Sequence, residues 1–326
     1  MNNHSTTTHW SVHLRLLGMV MFWGASYSWA KTVVATVPPI TAATLRFFLA
    51  SFALLVWLHR LRRTRQLLTI TARQWAGLTL AAISGIVLYT MCFMIALRHI
   101  DAGRAAVLFA LSPVLTLLLA AWLFREKLNT LIVTGILLAV VGSAIVIAHG
   151  NPLTLLRGHI GIGEWLIFAS IFLWTGYTLI GRKMLGGMDA LSTTVATLLI
   201  GAALLLPVSL IVEGTAGWAT LLHATPATWG ALLALTFGST VLAYAWYFDG
   251  IRALGAGNAA AYLTLEPVFG VLFAALWLGE SLHLSLIGGG VLAVGGMVLT
   301  YLGRRRHGSA LRRKRRLSQA DTNASS

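Results

Sequence analysis

Two charged side chains stand inside long apolar runs and are the strongest candidates for chemistry in this chain. Glu266 precedes Pro267 in LEPVFGVLFAALWLGESL, residues 265–282, and Arg46 lies within PPITAATLRFFLA, residues 38–50. A carboxyl group in such surroundings can exchange a proton or pair with a cation, whereas a guanidinium group stays charged. The role of these two groups depends on whether they pair with other protein groups or line a cavity.

A second apolar run repeats the first one without its charge. LSPVLTLLLAAWLFREKL, residues 111–128, matches residues 265–282 at eight of eighteen positions and has Ser112 where Glu266 stands. The same element therefore occurs twice, and only one copy is charged.

The composition determines the surroundings of these runs. Of the 326 residues, 57% are hydrophobic and 10% are charged, and the mean hydropathy is +0.80. These values exclude a water-soluble globule and indicate a chain that lies in a bilayer. The apolar runs are continuous rather than alternating with polar residues, which favours spanning helices of about 20 residues over the strands of a barrel.

Breakers and charge clusters divide the chain into ten predicted spans, and the fold class is an all-α polytopic membrane protein. We interpret the first run as a retained span rather than a signal peptide because it is longer than the usual apolar region of such a peptide. The predicted spans are 14–34, 39–58, 75–97, 103–123, 129–148, 162–181, 190–212, 228–249, 257–278 and 283–302.

The duplication covers most of the chain and divides it into two five-helix units. At an offset of 154 residues Glu126 matches Glu280, and at an offset of 151 residues Trp23 matches Trp174 and Lys31 matches Arg182. The predicted units are residues 14–148 and 162–303. Because five is an odd number, the second unit must cross the membrane in the opposite sense, which gives the inverted repeats typical of secondary transporters.

The distribution of Lys and Arg predicts the orientation. With the N-terminus inside, 19 of the 24 Lys and Arg residues lie on the cytoplasmic side, including a basic tail at residues 304–326. We expect a multi-pass protein of the bacterial inner membrane with both termini in the cytoplasm. The net charge of +15 favours contact with anionic lipid headgroups over binding of nucleic acid, since the basic tail directly follows the last span. Cys92 is the only cysteine, so no intramolecular disulfide can form.

Arg46 and Glu266 are predicted to lie near the bilayer midplane, where an ionised side chain costs roughly 2.5 to 3.5 kcal/mol. In one interpretation they line a polar cavity and contact a substrate, with Glu266 as the group that couples transport to a proton. In the other they pair with each other, or with backbone groups freed by Pro267, and only fix the bundle. An adjacent Arg46 would hold Glu266 ionised, whereas an unpaired Glu266 could take up a proton. The sequence leaves both interpretations open.

Aromatic residues occur at matched depths in corresponding spans and suggest a cavity wall. A single Tyr or Trp in a helix is ordinarily a packed side chain, but several together suit organic solutes of moderate size, including amphipathic cations and aromatic amino acids. Glycines spaced by seven, Gly135 with Gly142 and Gly289 with Gly296, predict close helix packing instead. The candidate substrate-binding residues are Trp23, Tyr27, Arg46, Tyr89, Ser112, Trp174, Tyr177, Tyr244 and Glu266.

Taken together, these residues resemble the EamA-type permeases of the drug/metabolite transporter superfamily. The resemblance covers about residues 14–303. It is carried by FWGASYSWAK (22–31), PPITAATLRFFLA (38–50), ALRHIDAGRAAVLFALSPVLTLLLAAWLFREKL (96–128) and the echo of this last motif at 265–282. Within these motifs the family pattern is matched by Trp23, Gly24, Lys31, Arg46 and Glu266-Pro267.

The resemblance implies a ten-helix carrier with a central cavity that opens alternately to each side. Such carriers mostly export small metabolites, amino acids or toxic compounds from bacteria. We therefore expect a secondary transporter that exports an amino-acid-like compound, an amine or a toxic compound by alternating access. Related carriers of nucleotide sugars and triose phosphates fit less well, because a phosphate would need more cavity cations than Arg46.

Two other classes of function fit the sequence less well than a transporter does. A membrane enzyme acting on a lipid-linked substrate would need a catalytic or metal-binding motif, and the sequence contains no H-E-x-x-H or G-x-S-x-G. A passive channel would need a filter or a ring of charges, and none is visible. We expect no catalytic residues, cofactor or metal; the oligomeric state stays open, a homodimer included.

Overall fold

The apolar runs of the sequence form a bundle of helices in a computed structural model of the chain. The structure describes residues 3–62, 64, 67, 69–124, 129–150, 160–184, 188 and 190–303, and no strand occurs among them. The first five helices are α1 (Asn3–Val34), α2 (Pro39–Arg60), α3 (Ala72–Ala96), α4 (Ala102–Phe109 and Ser112–Phe124) and α5 (Thr130–Ile147). The other five are α6 (Ile162–Met184), α7 (Ala190–Val212), α8 (Pro226–Leu254), α9 (Ala256–Ala261, Tyr262–Leu265 and Glu266–Leu278) and α10 (Leu284–Gly303).

The prediction of an all-α polytopic membrane protein is confirmed. Within the described residues, nine helices, α2 to α10, are long and apolar enough to span a bilayer. Side chains such as Leu276, Val291 and Phe52 are well exposed on the outside of the bundle, as hydrocarbon contact requires. Helix α1 is 32 residues long but carries Ser26, Ser28 and Lys31 in its predicted span, so the count of ten spans stays a prediction.

Several helices extend beyond the predicted spans because polar flanks continue them. Helix α1 begins at Asn3 rather than at 14, and α8 covers Pro226–Leu254 rather than 228–249. Helix α3 begins at Ala72 rather than at 75, because Thr71 and Gln74 form a capping box at its first turn. The predicted tail, 304–326, lies outside the described residues.

Irregular turns interrupt four helices at matched places in the two units. Ile83–Leu88 in α3 and Ala234–Leu242 in α8 are π-helical. Helix α4 is broken just before Pro113, and α9 has a 3₁₀ turn, Tyr262–Leu265, just before Pro267. Proline has no N–H and clashes with the preceding turn, so it fits where a helix restarts. Local deviations of this kind are frequent at functional sites.

The two five-helix units pack on each other reciprocally. Helix α1 packs on α8 and α9, and the matching α6 packs on α3 and α4. Helix α2 packs on α7, its own counterpart, and the 151-residue offset superposes their buried positions, such as Phe47 on Leu198 and Leu54 on Leu205. Reciprocal pairing of this kind is what a pseudo-two-fold axis between two inverted units produces.

The predicted packing role of four glycines is confirmed between α5 and α10. A Cβ on Gly142 would overlap the backbone of Gly289 and Ala293, and a Cβ on Gly135 would overlap Gly296 and Thr300. The absence of side chains therefore brings the two backbones together.

The helices run between two ends of the bundle, which we call the Glu280 end and the Tyr301 end. At the Glu280 end α1 finishes, and Glu213, after α7, caps the first turn of α2 through the N–H groups of Ile40 and Thr41. At the Tyr301 end α10 finishes, and the Asn129 side chain before α5 donates to the carbonyl oxygen of Gly303.

Candidate functional site

Two adjoining chambers, which together we call the cavity, lie between the two units. The wide chamber has a volume of about 560 Å³ and reaches Gly181, Met188 and Tyr301, so it opens at the Tyr301 end. The deep chamber, of about 140 Å³, extends to Arg46 and Glu266. The chambers adjoin each other, and both are lined by Trp23, Ser112, Pro113, Trp174, Tyr244, Leu263 and Met297.

Glu266 lies on the wall of the deep chamber where α9 resumes after its 3₁₀ turn. Its Oε1 accepts a hydrogen bond from the hydroxyl of Tyr27 at 3.2 Å. No ion pair joins Glu266 to a Lys or Arg in the part of the chain that the structure describes. The carboxyl group is half-buried and faces the cavity.

Arg46 borders the same chamber and is held by α8 rather than by Glu266. Its Nε and Nη2 donate to Thr240 Oγ1 at 3.1 and 3.0 Å, and Nη2 also donates to Ser239 Oγ at 3.3 Å. The guanidinium carbon lies 5.0 Å from the centre of the Phe47 ring. Among the described residues the interpretation that Arg46 and Glu266 pair with each other is therefore wrong, and each keeps capacity for a ligand.

Aromatic rings form the walls around these two charges. Trp23 meets Tyr244 at 5.5 Å between ring centres, and its counterpart Trp174 meets both Tyr89 and Tyr177 at 5.3 Å. Trp23 also donates from Nε1 to the carbonyl oxygen of Ser239, which anchors its ring. Each Trp thus packs on tyrosines and leaves an amphipathic wall that suits a planar or apolar group.

All nine candidate residues border the cavity. Eight line the deep chamber, and Tyr177 lines the wide one. Their contact with a substrate remains a prediction. Of the nine, Tyr27 is the most enclosed, since it is 2% exposed and also packs against Phe93 and Phe109.

Other wall residues were not predicted from the sequence. Ser239 and Thr240 give no signal on their own, because Ser and Thr commonly bond to the preceding turn of a helix. The aromatic and aliphatic members look like ordinary core residues. The further wall residues are Ser26, Phe47, Gly85, Ile86, Phe93, Ala106, Phe109, Thr116, Thr178, Thr193, Thr194, Ser239, Thr240, Tyr247, Phe248, Thr264 and Thr300.

The arrangement suits the binding of a small molecule with two opposite charges. A carboxyl and a guanidinium group face one chamber, aromatic rings surround them, and a wider chamber leads out. Removal of water from such a chamber strengthens both ionic contacts with a bound solute.

The sequence is similar to known membrane transporters over most of its length. The profile of the EamA-like transporter family matches residues 10–148 and again residues 161–302. A Bacillus subtilis protein named "Uncharacterized transporter YyaM" is 29% identical over 290 residues, which is 89% of this chain and 93% of that protein.

Two further comparisons extend this result. A Salmonella typhimurium protein named "Probable amino-acid metabolite efflux pump" is 28% identical over 298 residues, covering 87% of this chain and 93% of that protein. One crystal structure superposes with a TM-score of 0.62 at 22% identity, over 90% of this chain and 98% of the other, and it supports the fold alone.

Proposed function

Because this chain belongs to the EamA-like transporter family, we propose that it exports a small zwitterionic metabolite of the amino-acid type by alternating access. The family is one of transporters, so the chain is a membrane transporter and not an enzyme. The proposal concerns its substrate, its direction and its mechanism.

The observation that carries the proposal is the separate placement of Arg46 and Glu266 on one aromatic-lined cavity. A charge removed from water is unfavourable unless it is paired. A zwitterion can pair with both charges at once, with its ammonium group on Glu266 and its carboxylate on Arg46, whose Nη1 donors are not used by Ser239 or Thr240. An apolar or aromatic side chain of the same solute fits against Trp23 and Trp174.

Proton coupling follows from the position of Glu266. When the cavity is empty, a proton can neutralise the carboxyl group, which only Tyr27 contacts with a hydrogen bond among the described residues. When an ammonium group arrives, the proton and the substrate compete for the same oxygens. Proton uptake on one side and substrate release would then be linked to a single group.

The direction of transport is inferred from the orientation and the opening. The predicted bias of Lys and Arg puts the Tyr301 end in the cytoplasm of the bacterial cell. The wide chamber opens at this end, so the conformation described here is ready to take up a cytoplasmic solute. The Salmonella relative named as an amino-acid metabolite efflux pump supports the same direction and substrate class.

Counterflow in proteoliposomes tests this proposal. Purified protein is screened with labelled amino acids, amines, sugars and common toxic compounds, and we expect saturable exchange of amino acids with apolar or aromatic side chains. Glu266→Gln should reduce proton-driven transport by at least about tenfold, because a buried charge pair is worth about 2 to 5 kcal/mol. The yield of folded protein should stay near normal.

Asp249→Asn provides the control, since it also removes one carboxylate but lies outside the cavity, in an exposed ion pair with Arg15. It should retain most activity. Full proton-driven transport by Glu266→Gln would remove Glu266 from the coupling mechanism, and the absence of exchange with every amino acid would contradict the substrate class.

A further inference from the structure

A cluster of three charged residues joins α1, α4 and α9 at the Glu280 end; we call Lys31, Asp101 and Glu280 the Lys31 cluster. Lys31 Nζ, in the last turn of α1, donates to Asp101 Oδ1 at 2.9 Å and to Glu280 Oε1 at 3.2 Å. It also donates to the carbonyl oxygen of Ile100 at 3.0 Å. One ammonium group thus uses its three donors on the segment before α4 and the segment after α9.

Glu280 is the inner member of the cluster and connects α9 to α4. Helix α9 ends at Leu278, and Gly279 follows with a φ of +66°, which turns the chain so that Glu280 lies within reach of α4. Its two carboxylate oxygens accept hydrogen bonds from the N–H groups of Ala102 and Gly103 at 2.8 and 3.0 Å. The side chain of Glu280 is 11% exposed, compared with 66% for Asp101. The negative charge at a helix N-terminus is favourable, and its burial makes the contact hard to replace by water.

The helices that the cluster joins are also the helices that close the cavity below it. Lys31 lies four residues after Tyr27, on the same face of α1, and Tyr27 donates to Glu266. A Cβ on Gly24 would overlap Phe269 and the backbone of α9, and a Cβ on Gly270 would overlap Ala106 of α4. Nothing larger than glycine fits at these two positions, so α1 packs closely on α9, and α9 on α4, along the wall of the deep chamber.

The matched positions at the Tyr301 end are occupied by larger residues. The sequence offsets place Thr175 opposite Gly24 and Thr116 opposite Gly270. These two threonines share a hydrogen bond at 3.0 Å, and Thr116 lines the wide chamber. Glycines therefore allow direct backbone contact in one pair of helices, and threonine side chains stand between the equivalent helices of the other pair.

We propose that the Lys31 cluster holds the cavity closed at the Glu280 end and that its contacts must break for the cavity to open there. This inference rests on the alternating access proposed above. When the cluster separates, Lys31 and Glu280 pass from a partly buried pair to hydrated charges, and α4 loses its carboxylate cap. Because Lys31 and Tyr27 share one turn of α1, a change at Glu266 reaches the cluster through a single rigid helix.

A cysteine in the deep chamber reports the opening directly. Ser26 lines this chamber and differs from cysteine by one atom, so Ser26→Cys is introduced into a Cys92→Ser background. In sealed vesicles, a membrane-impermeant maleimide added on the Glu280 side labels the introduced thiol only when that end is open. A second protein with Ala35→Cys, exposed at the Glu280 end, identifies which vesicle face that end occupies.

Loss of the cluster should favour the open state. We expect Glu280→Gln and Lys31→Met each to raise the labelling rate from the Glu280 side by about tenfold, equivalent to about 1.4 kcal/mol. Lys31→Met leaves the carboxylate cap on α4 in place, so it tests the proposal even where Glu280→Gln fails to fold. Asp249→Asn removes an exposed ion pair with Arg15 at the other end and should leave the rate unchanged.

Unchanged labelling in both cluster variants, in protein that still performs counterflow, would overturn the proposal. Equal increases in the Asp249→Asn control would also overturn it, since they would show general loosening. Absence of counterflow in the unmodified protein is a different result: it contradicts the proposed function, while the labelling rates still decide whether the cluster closes this end.

Discussion

The two ends of the bundle consist of equivalent helices but are held by different interactions. At the Glu280 end two ion pairs have buried carboxylates: Arg104 and Glu164 meet at 2.6 Å with side chains 14% and 4% exposed, and Lys31 meets Glu280, whereas Asp101, the other partner of Lys31, is exposed. At the Tyr301 end the ion pair between Arg15 and Asp249 has side chains 48% and 36% exposed. Within the described residues, the closed end therefore has two carboxylates, Glu164 and Glu280, inside the protein, while the ion pair at the open end is in contact with solvent.

This difference shows how the two copies of a duplicated sequence can form two unlike ends. Each end has the same helices in equivalent roles, as inverted repeats produce. A few side chains remove the equivalence, above all the pair Gly24 and Gly270 against the pair Thr175 and Thr116. The asymmetry of this structure is thus a local packing property placed on a symmetric arrangement of helices.

Among the variants that test the difference between the two ends, Glu164→Ala is expected to have the largest effect on stability. It leaves the Arg104 guanidinium without its carboxylate partner in a partly buried site, which should lower the free energy of unfolding by about 3 kcal/mol. Arg104 keeps its bonds to the Ile147 carbonyl oxygen and to His149, so the fold should survive. Denaturation of the detergent-solubilised protein measures the change.

The exposed ion pair at the other end supplies the control for this measurement. Asp249→Ala should change the free energy of unfolding by less than about 1 kcal/mol, since solvent screens exposed pairs. Equal losses in the two variants would contradict the difference between the ends.

Gly24→Val tests the close helix packing near the Glu280 end and should have an intermediate effect on stability. Its side chain would overlap the backbone of Gly270 and Glu266, which cannot move aside as a flexible side chain can. We expect a loss of about 1 to 3 kcal/mol from overpacking, together with faster maleimide labelling of the deep chamber from the Glu280 side. Gly230→Ala, at a helical glycine with no atom near its added Cβ, should cause neither change. Slower labelling in Gly24→Val would mean that this glycine does not control closure.

Much of this arrangement could be predicted from the sequence. The features that could not be predicted were missed for physical reasons. The long apolar runs indicate the helices, and the doubled motif predicts which helices correspond, because both patterns are local. The distance between Arg46 and Glu266 is not local, since it depends on how α2, α8 and α9 pack. The π-helical turns that place Ser239 and Thr240 under Arg46 leave no pattern in residue type.

The Lys31 cluster was missed although a signal was present. The repeat matches Lys31 with Arg182 and Glu280 with Glu126, so both units carry a cation and a carboxylate at corresponding positions. In the sequence analysis Lys31 marks the repeat and the family pattern, and no partner is predicted for it. Opposite charges retained in both copies of an inverted repeat are a reason to expect a contact between helices.

The smallest expected effect concerns His149, which should make the stability of the Glu280 end depend on pH. Burial and the neighbouring Arg104 lower the pKa of His149 below its ordinary value of 6.5; His283 acts in the same sense, while Glu164 and Asp101 oppose the shift. Below pH 6.5 the unfolded chain therefore binds a proton that the folded protein binds only at lower pH. Stability from this group is present above pH 6.5 and is lost as the pH falls through the folded pKa.

His149→Asn should remove this contribution and make the stability less dependent on pH on the acid side. Asparagine suits the position because the backbone there has a φ of +49°, a conformation that Asn adopts more readily than most residues. Thermal unfolding of both proteins across this pH range measures the difference, with the two curves meeting above pH 6.5 and separating below it. If the stability of the two proteins changes with pH in parallel, the protonation of His149 does not affect the Glu280 end. The ion pairs of the Glu280 end would then be the only charged interactions that distinguish it from the Tyr301 end.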